Sequence, residues 1–181
     1  MPLITSITPS PSIELAHHRI HEGNHYATHH IHDITMPGFV DFLITTPPIA
    51  QAETHLIFEF FVEFKSRLDM YEDVGIIDHG IQLKSENYNR IATNLPLTNT
   101  YMSPTLAAGE PFANKKIFED QEGTLLETAH IGESNRNEDE FVLKGSTNYL
   151  FRLTPDPASL ATSMYTTLEF NWYDARPSTI S

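Results

Sequence analysis

A chain of 181 residues with 40% hydrophobic residues is long enough for one well-buried core and short for two, so a single domain is expected. With 24 acidic against 11 basic residues the net charge is −13, which opposes binding along a phosphate backbone, and the lack of cysteine removes disulfides, thiolate zinc sites and a cysteine nucleophile. No run approaches the roughly 18 apolar residues of a membrane helix, and the N-terminus has no basic and apolar leader, so a soluble protein made in the cytosol is expected.

Residues 1–12, rich in Pro, Ser and Thr, read as an extended N-terminal arm. Residues 13–32 follow and hold seven of the ten histidines. Residues 39–45 (FVDFLIT) predict a strand stopped by Pro47 and Pro48. The stretch 55–65 (HLIFEFFVEFK) is the centre of the fold: Leu56, Phe58, Phe60, Val62 and Phe64 alternate and give an extended chain one wholly apolar face. A helix would spread the apolar residues over more than half its circumference. Residues 67–71 predict another strand, 75–80 a turn, 82–91 an edge strand or structured loop, and 101–106 and 115–118 short strands.

The polar stretch 121–140, ending in ESNRNEDE, reads as a solvated loop whose side chains could hold calcium if the backbone curled around them, although EF-hand spacing is missing. Phe141–Leu143 and 148–153 predict a hairpin around 144–147. Residues 165–173 (YTTLEFNWY) predict a last strand, partner to 55–65, with Thr166, Leu168, Phe170 and Trp172 inward. About eight short strands and no helical period predict an all-β, single-domain β-sandwich or jelly roll over 13–175, with a C-terminal tail at 176–181.

His21, Glu22, Gly23, Asn24 and His25 spell HEGNH, which fits the HExxH zinc motif. On a helix its two histidines would share a face and ligate Zn²⁺ while Glu22 activated the bound water. Gly23 in mid-helix would cost about 1 kcal/mol relative to alanine. In the longer HExxHxxGxxH form Thr28 replaces the glycine and Ile31 the third histidine, and Glu53 precedes a strand instead of lying on a second helix. His17, His21, His25 and His29 repeat at four, so a surface metal face is conceivable; the plainer reading is a polar segment whose histidines pack or hydrogen-bond at an interface. If several lie close together, protonation near pH 6 would add charge there. There is no GxSxG elbow, and Lys144, Gly145, Ser146 and Thr147 lack the upstream glycine of a phosphate loop. No catalytic, cofactor or metal residue is assigned, and the chain is not expected to be an enzyme.

The ordered patches HRIHEG (18–23), FLITTP (42–47), THLIFEF (54–60), MYED (70–73), NYNR (87–90), TYMSPTLAAGE (100–110), FVLKGSTNYLFRLTP (141–155) and LEFNWYD (168–174) resemble the capsid decoration, or cement, proteins of tailed phages. The resemblance spans nearly the whole chain and departs at 121–137 and at the proline-rich break after Leu153. It implies a β-sandwich that oligomerises, with a trimer slightly favoured over a dimer, and clamps neighbouring major capsid subunits from the outside of the virion capsid. In that family the pattern after HEG does not require a second histidine, which makes His25 incidental. Contacts with the capsid or between subunits are expected from the arm and from Ile13, His17, Arg19, His21 and Glu22, whose extended chain and dense imidazole, guanidinium and carboxylate groups suit a polar interface. The alternative for HRIHEG is an internal strand and turn, with Gly23 serving backbone conformation and Ile20 the core. Two other functions stay open: a different phage sandwich module (tail, fibre or carbohydrate-binding, with Tyr88, Tyr101 and Tyr173 as groove aromatics) and a zinc hydrolase built on HEGNH.

Overall fold

The computed structural model describes residues 15–35, 38–112, 114–122, 129–132, 140–158 and 162–176. The expected arm therefore lies outside the described residues, as do Ile13 and most of the C-terminal tail. A short helix, α1 (Leu15–His21), leads into β1 (His25–Thr35), β2 (Val40–Thr45), β3 (Glu53–Val62), β4 (Ser66–Glu72), β5 (Ile76–Asp78), β6 (Ile81–Gln82) and β7 (Glu86–Asn87). There follow β8 (Asn99–Met102), β9 (Thr105–Leu106), β10 (Lys115–Glu122), β11 (Ala129–Gly132), β12 (Phe141–Leu143), β13 (Asn148–Pro155) and β14 (Ser163–Ala175). One sheet runs β11-β3-β14-β1-β7, with β12 also paired to β3; the other runs β10-β4-β13-β2-β8-β6; β5 and β9 form a separate ribbon.

The pairing is nested and antiparallel. β1 lies against β14, β2 against β13, β3 against β12 and β4 against β10, with successive pairs falling in opposite sheets. A long paired ribbon rolled over itself in this way is a jelly roll, so the chain forms the all-β, jelly-roll-like sandwich that its sequence predicts.

The core is made by the alternation itself. Leu56, Phe58, Phe60 and Val62 of β3 and Thr166, Leu168, Phe170 and Trp172 of β14 are buried, and β3 pairs with β14 so that Phe60 meets Leu168 and Phe58 meets Phe170. From the other sheet Phe151 packs on Phe58 at 4.9 Å between ring centroids and on Phe170 at 4.9 Å. Edge-to-face rings of this kind add about 0.5–1.5 kcal/mol to area burial, and each fully buried side chain of this size supplies about 1.5–3 kcal/mol. Phe64 falls just past the end of β3 and packs, half-buried, against the same core.

Several expectations are corrected. The hairpin at 141–153 is not formed: β12 pairs with β3 and β13 with β2 and β4, so the link 144–147 carries the chain between sheets. That link is held to the end of β2, where Thr46 Oγ1 donates to the Lys144 carbonyl (2.6 Å) and accepts from Thr147 N (3.0 Å). The polar stretch 121–140 is not a loop throughout, because β10 reaches Glu122 and β11 joins β3, burying Ile131. Residues 101–106 split at Ser103, whose φ is +55°, into β8 and β9, and the turn expected at 75–80 contains β5. There are fourteen strands among the described residues, the additions being mostly pieces of two to four residues.

Candidate functional site

The HEGNH stretch is not helical over its length. α1 ends at His21, Gly23 turns the chain at φ +71°, and His25 opens β1 and is buried. Asparagines of β7 and of the loop after it clasp this turn by its backbone: Asn87 Nδ2 donates to the Gly23 carbonyl (2.8 Å), Asn89 Nδ2 to the His21 carbonyl (3.2 Å) and Asn94 Nδ2 to the Glu22 carbonyl (3.1 Å). A Cβ on Gly23 would lie 2.5 Å from the Ala92 Cβ. His21 and His25 therefore do not share a helical face, and the four-residue histidine spacing passes from helix to strand before it is complete.

Of the residues expected to form an interface, Arg19, His21 and Glu22 gather at one end of the β1-β14-β3 sheet. Arg19 Nη1 pairs with Glu22 Oε2 at 2.7 Å, and its guanidinium lies 5.9 Å from the Tyr173 ring centre. His17 belongs to α1, with its side chain outside the described set, and Ile13 lies outside the described residues altogether. Beside Tyr173, His55 Nε2 meets Glu53 Oε1 at 2.9 Å, while its Nδ1 lies 2.9 Å from the Tyr173 hydroxyl and 3.3 Å from Glu140 Oε2. These groups satisfy one another, which is the arrangement of a structural network.

The remaining outward surface of this sheet is different. Residues paired directly across neighbouring strands share a face, and three successive rows on the outer side read His29, Glu169, Glu59; Ile31, Thr167, Phe61; and Asp33 beside Tyr165, whose backbone N–H donates to the Glu63 carboxylate (2.7 Å). Within these three strands the middle row begins and ends on an apolar residue, and β11 continues it with His130 opposite Phe61. Ile31 is 69% exposed, Phe61 48% and, on the next row, Tyr165 56%. With strands about 4.8 Å apart, Ile31 and Phe61 stand about 10 Å from each other. The three rows carry the carboxylates of Glu169, Glu59, Asp33 and Glu63 and contain neither lysine nor arginine. On the edge side, His29 helps line a cleft of about 130 Å³ with Glu86 and Arg90, and hydrogen bonds from Lys84 and Arg90 hold the Glu86 carboxyl down at about 2. On the inner side of the same strand, burial and then neighbouring His32 push His30 below the ordinary imidazole value.

The face was not singled out from sequence, although a signal was there. Phe61 and Ile57 interrupt the polar phase of an alternating strand; Ile57 is covered, and Phe61 remains exposed.

No family model and no curated protein matches this chain. Among solved structures it is similar to a chain of Desmodium yellow mottle tymovirus, with 7% identity over 86% of this chain and 90% of that one and a TM-score of 0.24. It is also similar to a chain of infectious bursal virus derived T=1 particles, with 10% identity, 83% and 41% coverage and a TM-score of 0.12. The infectious bursal disease virus VP2 subviral particle gives 9% identity, 83% and 42% coverage and a TM-score of 0.11. The present chain spans under half the length of the last two.

Proposed function

We propose that this chain is a structural virion protein that binds the outside of a mature phage capsid and ties neighbouring major capsid subunits together, acting as a binding module and not as an enzyme. The observation that carries the reading is the outward β1-β14-β3 face, where large apolar side chains stand exposed in register across neighbouring strands. Exposed apolar side chains grouped on one face and rimmed by polar groups are the mark of a contact surface.

The patches of the decoration-protein resemblance support the same reading in a specific way, because they bond to one another in the fold. NYNR clasps HRIHEG through Asn87 and Asn89, Lys144 pairs with Glu72 of MYED at 2.6 Å, and THLIFEF lies against LEFNWYD. They constitute a framework. A cement protein then acts by mass action, since a ligand of the expanded lattice that does not bind its open form stabilises the former, and many weak contacts around a particle add through avidity. Self-association, as a trimer or a dimer, belongs to the same reading.

The competing readings lose their supports. The zinc hydrolase lacks its helix, and of the three groove tyrosines Tyr173 is buried, Tyr88 lies in the bend after β7 at the edge of one sheet and Tyr101 lies on β8 of the other. The test is the copy number of this protein relative to the major capsid protein in gradient-purified particles. A capsomer-scale ratio is expected; a few copies per particle would make it a tail or vertex component, and absence would refute the virion role.

A further inference from the structure

We infer that the outward face of β1, β14 and β3 docks a basic partner surface, an apolar site ringed by lysine or arginine, and that a second copy of this chain is not its occupant. The inference rests on the capsid-binding reading above and names the surface and the chemistry that reading requires.

Charge decides the occupant. Ile31, Thr167, Phe61 and Tyr165 lie among the carboxylates of Asp33, Glu63, Glu59 and Glu169, with neither lysine nor arginine in the three rows; β11 continues the middle row with His130 opposite Phe61, and Arg90, paired with Glu86, stands across the cleft beside His29. His29 Nδ1 lies 3.4 Å from Glu169 Oε2, so this imidazole is already engaged with a carboxylate of its own face. Packing this face against itself about a twofold axis would set carboxylate rows against carboxylate rows in a chain of net charge −13, and like charges across an interface disfavour the pairing. A partner with lysine or arginine around an apolar centre meets both features at once.

Size fixes the mode. Three rows about 7 Å apart across three strands about 4.8 Å apart offer on the order of 300 Å², well under the roughly 800 Å² per partner of a stable free-standing complex. A single copy therefore binds weakly through this face, and tight retention comes from repetition on a lattice. Of the face residues, Ile31, Asp33, Phe61, Glu63, Tyr165 and Thr167 lie outside the patches that resemble the decoration proteins, while Glu59 and Glu169 lie within them.

The experiment adds purified protein to heads of the encoding phage that lack it and measures occupancy by co-sedimentation over a range of salt. Wild type should bind with an affinity that falls as salt rises. Ile31→Ser with Tyr165→Ser, and separately Asp33→Lys with Glu169→Lys, should each weaken binding at least tenfold, the second also flattening the salt dependence. Phe112→Ser, exposed in the turn before β10 and lying over Arg152 of the opposite sheet, should bind as wild type. Melting temperatures near wild type establish that the exposed substitutions leave the fold intact. Failure of the wild type to bind heads overturns the capsid reading and this inference with it. Wild-type binding with unchanged binding of the face variants, or tighter binding of the lysine variant, overturns the face alone. Sedimentation velocity on the free proteins closes the remaining route: a change of oligomeric state in Ile31→Ser with Tyr165→Ser would make a second copy the occupant and refute the assignment.

Discussion

Replacing Gly23 with alanine tests the geometry of the HEGNH stretch by the sign of its effect. Gly23 holds φ at +71°, in the left-handed region, and a Cβ there would lie 2.5 Å from the Ala92 Cβ. The backbone conformation alone costs an alanine about 1–2 kcal/mol. Overlap with Ala92 adds about 1–3 kcal/mol, the range for overpacking, and part of it is relieved by movement of the clasping loop. A net loss of about 2–4 kcal/mol follows, which for a domain of this size is a fall in Tm of about 5–15 °C. Adding Ala92→Gly to the same chain should recover the steric part and leave the conformational part. On a helix, Gly23→Ala would act the other way and stabilise by about 1 kcal/mol. Urea or thermal unfolding of the two variants decides it, and a neutral or stabilised Gly23→Ala would refute the turn and reopen the helical reading of the motif.

Arg152 donates two hydrogen bonds to the Asp41 carboxylate, at 2.8 and 2.7 Å, on the outer side of the second sheet beneath Phe39 and Phe112. Asp41→Ala should cost about 3 kcal/mol by stranding a mostly buried guanidinium, whereas Asp41→Leu with Arg152→Met should be close to neutral; equal urea midpoints for the single variant and wild type would show the pair to be dispensable. Lys144 donates to Glu72 and holds its carboxyl below the ordinary value of 4.5. A depressed folded value means that the contribution is complete above about 4.5 and is lost as the pH falls through the folded value, so Lys144→Met should reduce the acid-side loss of stability and return Glu72 toward its ordinary titration. NMR titration of Glu72 in both proteins checks this, and an unshifted midpoint in the wild type would contradict the pairing.

The strands were legible wherever alternation ran long enough. β3 and β14 could be recognised, given inward residues and paired from sequence because an inward phase recurs at every second position, over nine residues at β3 (56–64) and seven at β14 (166–172). The pieces β5, β6, β7 and β9 are two or three residues long and too short for a period, and β11, four residues long, brings the buried Ile131 from the stretch that reads as polar. Sheet membership was the harder matter. Two strands four residues apart favour a hairpin locally, yet β12 and β13 separate because each has a better partner far away, β3 for one and β2 with β4 for the other. The contact face was half-legible: Phe61 on the polar phase of its strand was visible, but nothing in the sequence said that Ile31 and Thr167 would fall in the same row.

β14 sits between β1 and β3 and is hydrogen-bonded along nearly all of both. A ribosome makes the two flanking strands more than a hundred residues before the one that joins them. Until residue 175 has emerged, β1 and β3 have no common neighbour and the apolar side of the sheet has no centre. No growing chain therefore passes through a smaller stable version of this sandwich, and a message cut short anywhere before β14 yields a product for proteolysis and no partial function.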